Sequence, residues 1–324
     1  MVQVWYPTDG DADGEPATYL DRIDVAGPLI ASDLNMPRFM FEHLNLSQTA
    51  SRLGLPIVNG TEQFPIILFS HGIRVGFRGQ NTTQLQELAS HGYVVASIDH
   101  TFGNLYTVFP DGRVDIFANE AIFGDEYGNL EDANTVLDVW AGDMGLVLDE
   151  MAQWQQGNGA GGGLFNGRLD LNSIGIFGHS TGGGTTVNFC HKDGRCRAGI
   201  GLDSWVLPLS DSVQTVEQPF MFMSTEAWLN PENMARGVGL FNNLADNGYM
   251  LNIAGTEHFD FSDMPLFSPL TPQLGLSGTI DSTYSLTLMN EYILSFFNQQ
   301  LKGEPTPLLD QNDSPYPEVR FEKR

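Results

Sequence analysis

Ser180, Asp203 and His258 are residue types that together perform acyl transfer, and they occur in an order that suits it. A serine hydroxyl is a weak nucleophile until a base takes its proton. The imidazole that serves as base needs a carboxylate to hold its tautomer and to stabilise its charged form. Ser180 sits in Gly178-His179-Ser180-Thr181-Gly182, a G-x-S-x-G sequence. The apolar run Ile174 to Phe177 precedes it, and small residues extend from it to Cys190. Strand, sharp turn and helix in that order form a nucleophile elbow. The turn leaves no room for a Cβ two residues either side of the serine. The pattern therefore predicts Ser180 in a strained backbone conformation with its Oγ above the sheet.

The carboxylate and imidazole follow where α/β-hydrolases place them, each just past a strand, in the order serine, acid, histidine. Asp203 ends the apolar run Ala198 to Leu202, and His258 comes shortly after the run Tyr249 to Ile253. Asp260 and Glu226 compete with Asp203 for the acid role. Among the other histidines, His71 and His179 flank turns where the backbone matters more than the ring, and His100 precedes the serine. His43, His91 and His191 lie away from any predicted strand end. The oxyanion hole then needs two backbone N–H groups, which fall to Thr181 and to Ile73 in the loop after the strand Phe64 to Ser70. Each such donor is worth about 3 kcal/mol in a transition state. Phe102, Trp205, Trp228 and Phe259 are the candidates to line a substrate cleft.

The elements that must position these residues read as alternating strands and helices. Phe64 to Ser70 is an apolar run of the length of a strand buried on both faces, Asn81 or Thr82 can cap a helix to about Ser90, and Tyr93 to Ile98 forms a second buried strand. That βαβ unit implies parallel strands. Residues 101–132 break the rhythm with a hairpin turning at Pro110-Asp111-Gly112 and then a polar loop. A long amphipathic helix follows, its Val136, Trp140, Met144, Val147, Met151 and Trp154 recurring at helical spacing. Further helices are expected over about 231–245 and 281–301. The expected architecture is an α/β-hydrolase fold, a mostly parallel central sheet with helices on both faces and a loop and hairpin excursion near the active site. One domain covers residues 1–302, and 303–324, rich in prolines and charges, reads as an extended C-terminal tail.

With 40 acidic against 15 basic residues, the net charge of −25 repels phosphate backbones, so nucleic acid is not an expected partner. No run of residues is long and apolar enough to span a membrane. The first residues carry neither a basic segment nor an apolar one, so no secretory leader is visible and the compartment stays open. Cys190 and Cys196 are the only cysteines. They exclude a four-cysteine zinc site, and in an oxidising compartment they can pair locally and close a short loop. No metal or cofactor is called for by the serine chemistry, and the expected ligand is a small-molecule, lipid or polymer ester.

Five segments carry a family resemblance: Phe64-Pro-Ile-Ile-Leu-Phe-Ser-His-Gly72, Ala89-Ser-His-Gly-Tyr93, Gly178-His-Ser-Thr-Gly-Gly183, Gly201-Leu-Asp-Ser-Trp205 and Gly255-Thr-Glu-His258. Together they resemble the platelet-activating factor acetylhydrolase family of the plasma and intracellular type II kind, over roughly residues 2–300. The resemblance implies a calcium-independent serine esterase acting on short or oxidised acyl groups of phospholipids, with bacterial relatives of broader ester- or polyester-hydrolysing activity. By residue match it implies Ser180, Asp203 and His258 as the triad and the Ile73 and Thr181 amides as the oxyanion hole. Thr181 stands where members usually carry Phe, and Asp99-His100-Thr101-Phe102 replaces a basic and acidic cluster; both border the acyl pocket. The rival readings are a broad carboxylesterase or polyesterase and, from another class, a non-catalytic hydrolase-fold binding protein.

Overall fold

The computed structural model describes residues 1–10, 13–20, 22–33, 35–118 and 129–324. Eight strands form the central sheet: β1 (Val2–Trp5), β2 (Phe64–Ser70), β3 (Val94–Ile98), β4 (Leu169–His179), β5 (Ala198–Leu202), β6 (Phe220–Ser224), β7 (Gly248–Ile253) and β8 (Val319–Lys323). Their order across the sheet is β1-β3-β2-β4-β5-β6-β7-β8. The six inner strands run parallel, while β1 pairs antiparallel with β3 and β8 antiparallel with β7. Every residue of β3, β5 and β6 is buried, as continuous apolar runs require when both faces are covered.

Helices α1 (Thr82–Ser90), α2 (Leu130–Gln155), α3 (Thr181–Lys192), α4 (Pro231–Asn242) and α5 (Ser282–Phe297) supply the covering layers. The apolar stripes of α2, α3 and α4 pack on one face of the sheet with Leu137, Met144, Val187 and Leu240. Those of α1 and α5 pack on the other with Leu85, Leu88, Met289 and Phe296. Each fully buried side chain of this size contributes roughly 1.5–3 kcal/mol, so the two layers fix the sheet on which the site stands. Side chains cap three of the helices: Asn129 accepts from the Glu131 and Asp132 amides, Asn230 from Asn233, and Asp281 from Tyr284.

Two features differ from expectation. Residues 303–324 are not an extended tail: a short helix, Pro307–Asp310, leads to β8, which pairs with β7 from Val319–Ile253 to Lys323–Tyr249. Val-Arg-Phe-Glu-Lys alternates buried and outward residues, the pattern of an edge strand with one wet face. Between β1 and β2, where the sequence pattern is irregular, lie a helix at Ile23–Asp33, which accommodates Pro28, and a two-stranded ribbon of Pro16–Thr18 with Gln48–Arg52. Leu20, Ile30 and Phe41 of this segment pack against Phe77, Tyr106, Met264 and Phe267, making a small second core beside the carboxyl ends of the strands. The predicted hairpin is present as Tyr106–Val108 with Val114–Ile116, turning at Gly112. Residues 119–128 of the expected polar loop lie outside the described residues. Cys190 and Cys196 form a disulfide between the end of α3 and the start of β5.

Candidate active site

Chain direction across the sheet reverses between β2 and β4, since the chain passes from β2 outward to β3 and returns to place β4 on the other side of β2. Strand ends diverge there and open a crevice where open α/β sheets bind ligands. Ser180 stands at that point, between the last residue of β4 and the first of α3, at φ 56° and ψ −119°. This is backbone that L residues rarely occupy, and the surroundings enforce it. The Ser180 amide donates to the Leu202 carbonyl at 2.9 Å, and the Ser180 carbonyl accepts from Gly183, Gly184 and Trp205. The flanking glycines are required by space: a Cβ on Gly178 would lie 2.3 Å from the Gly182 carbonyl oxygen, and one on Gly182 would lie 2.0 Å from the Ser70 oxygen.

Asp203 follows β5 at φ 37°, its side chain buried. Its Oδ1 accepts from the Thr225 amide at 2.9 Å, and its Oδ2 accepts from His258 Nδ1 at 2.6 Å. Because a carboxylate can only accept, Nδ1 of His258 carries the proton and Nε2 is left as the basic nitrogen. His258 and Ser180 line one cavity of about 560 Å³ together with Gly72, Ile73 and Thr181. Of the rival carboxylates, Glu226 is exposed, and Asp260 Oδ2 is occupied by the amides of Glu257 and Gly278. Thr181 is the first residue of α3, where helix amides have no intrahelical partner. The Ile73 side chain is buried against Ala133, Val136 and Trp140, which fixes the loop after β2.

The four aromatic candidates separate. Trp205 and Phe259 line the cavity, joined by Leu130, Leu207, Leu229, Asn230 and Glu232, which nothing in the local sequence marked out. Trp228 is fully buried: it packs on Phe222, its ring fills the space beside Gly237, and its Nε1 donates to the Ser204 carbonyl at 2.9 Å. It supports the Asp203 loop from behind and does not reach the cleft. Phe102 is 48% exposed and stands outside the cavity wall.

His179 and Gln80 were not expected in a site role, yet both line the cavity and join its two sides. Gly72 N–H donates to Gln80 Oε1 at 3.0 Å, Gln80 Nε2 donates to His179 Nδ1 at 2.7 Å, and His179 Nε2 donates to the His258 carbonyl at 2.9 Å. The two histidine rings lie 4.5 Å apart. Burial, and then the neighbouring His258, hold the pKa of His179 well below the ordinary histidine value, so it stays a neutral connector. Among the described residues no cluster of His, Cys, Asp or Glu is arranged to hold a metal ion, and no helix is long and apolar enough to cross a membrane.

The parallel sheet with a strained strand-to-helix turn at the switch point, and with Asp203 and His258 after later strands, has the architecture of the α/β-hydrolase fold. A structure of ferulic acid esterase from Streptomyces cinnamoneus superposes with a TM-score of 0.78 at 26% identity, covering 99% of this chain and 88% of that one. The profile of the family described as platelet-activating factor acetylhydrolase, isoform II, matches residues 1–104 and 157–313, and the chain belongs to that family. Platelet-activating factor acetylhydrolase of Cavia porcellus is 28% identical over 261 residues, 76% of this chain and 59% of that protein. The same-named protein of Canis lupus familiaris is 29% identical over 282 residues, 78% of this chain and 60% of that protein. The matched region thus spans about three fifths of these relatives' length.

Proposed function

We propose that this chain is a serine carboxylic-ester hydrolase that cleaves short-acyl esters of the phospholipid type. Ser180 Oγ attacks the ester carbonyl, and His258 Nε2 takes its proton and returns it to the leaving alcohol. Asp203 orients the ring and stabilises the imidazolium, and the amides of Ile73 and Thr181 receive the oxyanion. Water activated by the same histidine then releases the acid from the acyl-enzyme. The observation that carries this reading is the strained Ser180 sharing a cavity with a histidine whose Nδ1 is held by a buried carboxylate. Family membership and the names of the relatives support the choice of ester and of a short acyl chain.

One feature favours a second reading, a carboxylesterase for uncharged esters. Among the described residues lining the cavity there is no lysine or arginine to meet a phosphate, and Glu232 contributes a carboxylate. The ferulic acid esterase likeness points the same way. A fluorophosphonate probe is expected to label Ser180 and no other residue. Labelling elsewhere, or of Ser180→Ala, would refute the mechanism. Hydrolysis of a 2-acetyl ether phospholipid measured beside p-nitrophenyl acetate to decanoate and methyl ferulate separates the readings, since turnover of the phospholipid at a rate comparable to the acetate supports the first and its absence the second.

A further inference from the structure

A second serine, histidine and aspartate chain lies behind the loop after β2. Ser70 Oγ is 2.9 Å from His100 Nε2, and His100 Nδ1 is 2.7 Å from Asp143 Oδ2. Ser70 and the His100 ring have no exposure, while the Asp143 side chain is 41% exposed. A hydroxyl sealed in this way takes no substrate, so the resemblance to a catalytic triad is one of hydrogen bonding alone. Directions follow from the groups: Nδ1–H donates to the carboxylate, and Nε2 accepts the Ser70 proton.

What this chain holds is the start of the oxyanion loop. The backbone amide of His100 donates to His71 Nε2 at 3.1 Å, so His71 carries its proton on Nδ1, which donates to the Gly72 carbonyl at 2.8 Å. His100 therefore grips two consecutive residues of the β2 end, Ser70 by its ring and His71 by its amide. Trp140 stacks on the His100 ring at 4.2 Å and 6° and meets His71 edge-on at 5.1 Å. Trp140 and Asp143 sit one turn apart on α2, so a single helix supplies both the stacking face and the carboxylate. The carbonyls of the gripped residues abut Gly182 in the elbow helix, with 2.0 Å from Ser70 and 2.5 Å from His71 to a built Cβ, so a shift of the β2 end cannot leave the nucleophile turn untouched.

We propose that Ser70, His100 and Asp143 are positioning residues that set the Ile73 amide relative to Ser180. This rests on the oxyanion role given to Ile73 above. An oxyanion donor acts only on the transition state, so loosening it lowers kcat and leaves KM in place. Burial lowers the pKa of His100 while Asp143 opposes the shift, and the neutral ring this favours is the one that accepts from Ser70.

The test compares Ser70→Ala and Asp143→Asn with wild type, using p-nitrophenyl acetate turnover per fluorophosphonate-titrated Ser180, KM, and inhibition by a trifluoromethyl ketone that adds to serine as a tetrahedral oxyanion. Complete loss of a donor costs about 10²–10³ in kcat, so partial displacement in Ser70→Ala is expected to cost about tenfold, with the ketone weakened by the same factor and KM unchanged. Asp143→Asn, at a half-exposed position, shows a smaller loss in the same two readouts and carries the test should Ser70→Ala not fold. Wild-type turnover per titrated site and wild-type ketone inhibition in the folded variants overturn the inference whatever happens to their melting temperatures, as does a loss confined to KM. Wild-type protein that does not titrate at Ser180 instead overturns the esterase reading itself.

Discussion

Asp203→Asn gives the sharpest test of the proposed mechanism because both partners of the carboxylate are donors and an amide can accept through only one of its two ends. Its Oδ1 accepts from the Thr225 amide, and its Oδ2 faces His258 Nδ1. With the asparagine oxygen kept towards Thr225, its NH2 confronts Nδ1 and forces the proton to Nε2, so the ring presents a donor to Ser180 instead of an acceptor. Turning the amide over restores the tautomer but sets NH2 against the buried Thr225 N–H, an unsatisfied donor pair costing about 1–3 kcal/mol. Neither orientation recovers the native arrangement. The expected loss in kcat is about 10³–10⁴, or roughly 4–5.5 kcal/mol of transition-state stabilisation. The near-isosteric amide should do no better than Asp203→Ala, which leaves the ring free to choose its tautomer. Steady-state hydrolysis of p-nitrophenyl acetate, with circular dichroism to confirm folding, measures this. A folded Asp203→Asn protein with kcat within about tenfold of wild type would refute the assignment.

Three further outcomes are expected. Cys190→Ser with Cys196→Ser opens a loop of sequence separation 6 and should cost about 2 kcal/mol of stability in a denaturant titration, with turnover per folded molecule unchanged. Asp263, held at a pKa of about 6 by burial despite accepting hydrogen bonds from Thr83 and Tyr19, keeps its proton in the folded state where the unfolded chain has released it. Folded protein then loses stability as pH rises from about 4 to 6, so wild type should fall relative to Asp263→Asn by up to about 3 kcal/mol over that window; a pH-independent gap between the two urea midpoints would contradict it. Gly182→Ala drives a Cβ onto the Ser70 and His71 carbonyls and should destabilise by about 3 kcal/mol or more. A wild-type urea midpoint would show that the elbow has slack which the contact distances deny.

The parts of the site legible in the sequence were those whose signal is local. A glycine two residues either side of Ser180 reports a steric fact about one turn, and Asp203 and His258 each follow an apolar run that can only be a buried strand. The links between segments carry no such mark. Gln80 reaches back to Gly72 and forward 99 residues to His179, and a lone glutamine before a helix looks like any surface residue. Trp228 follows a strand as Trp205 does, but the position of Gly237 gives its ring a buried slot, which no spacing rule reveals. The alternation of Val319 to Lys323 was present to be read; four prolines between residues 305 and 317 outweighed it. An edge strand tolerates such neighbours because only one of its sides must hydrogen-bond.

That last strand has a bearing on how the polypeptide tolerates trimming. Cutting at residue 302 to discard an apparent appendage would strip the partner from Tyr249 to Ile253 and expose an apolar ribbon whose amides seek another chain. It would also free Ala254, now tethered to the Glu318 carbonyl at 2.8 Å, four residues ahead of the imidazole. A shortened product would thus be expected to self-associate, and to hold His258 on a frayed margin rather than a sealed one.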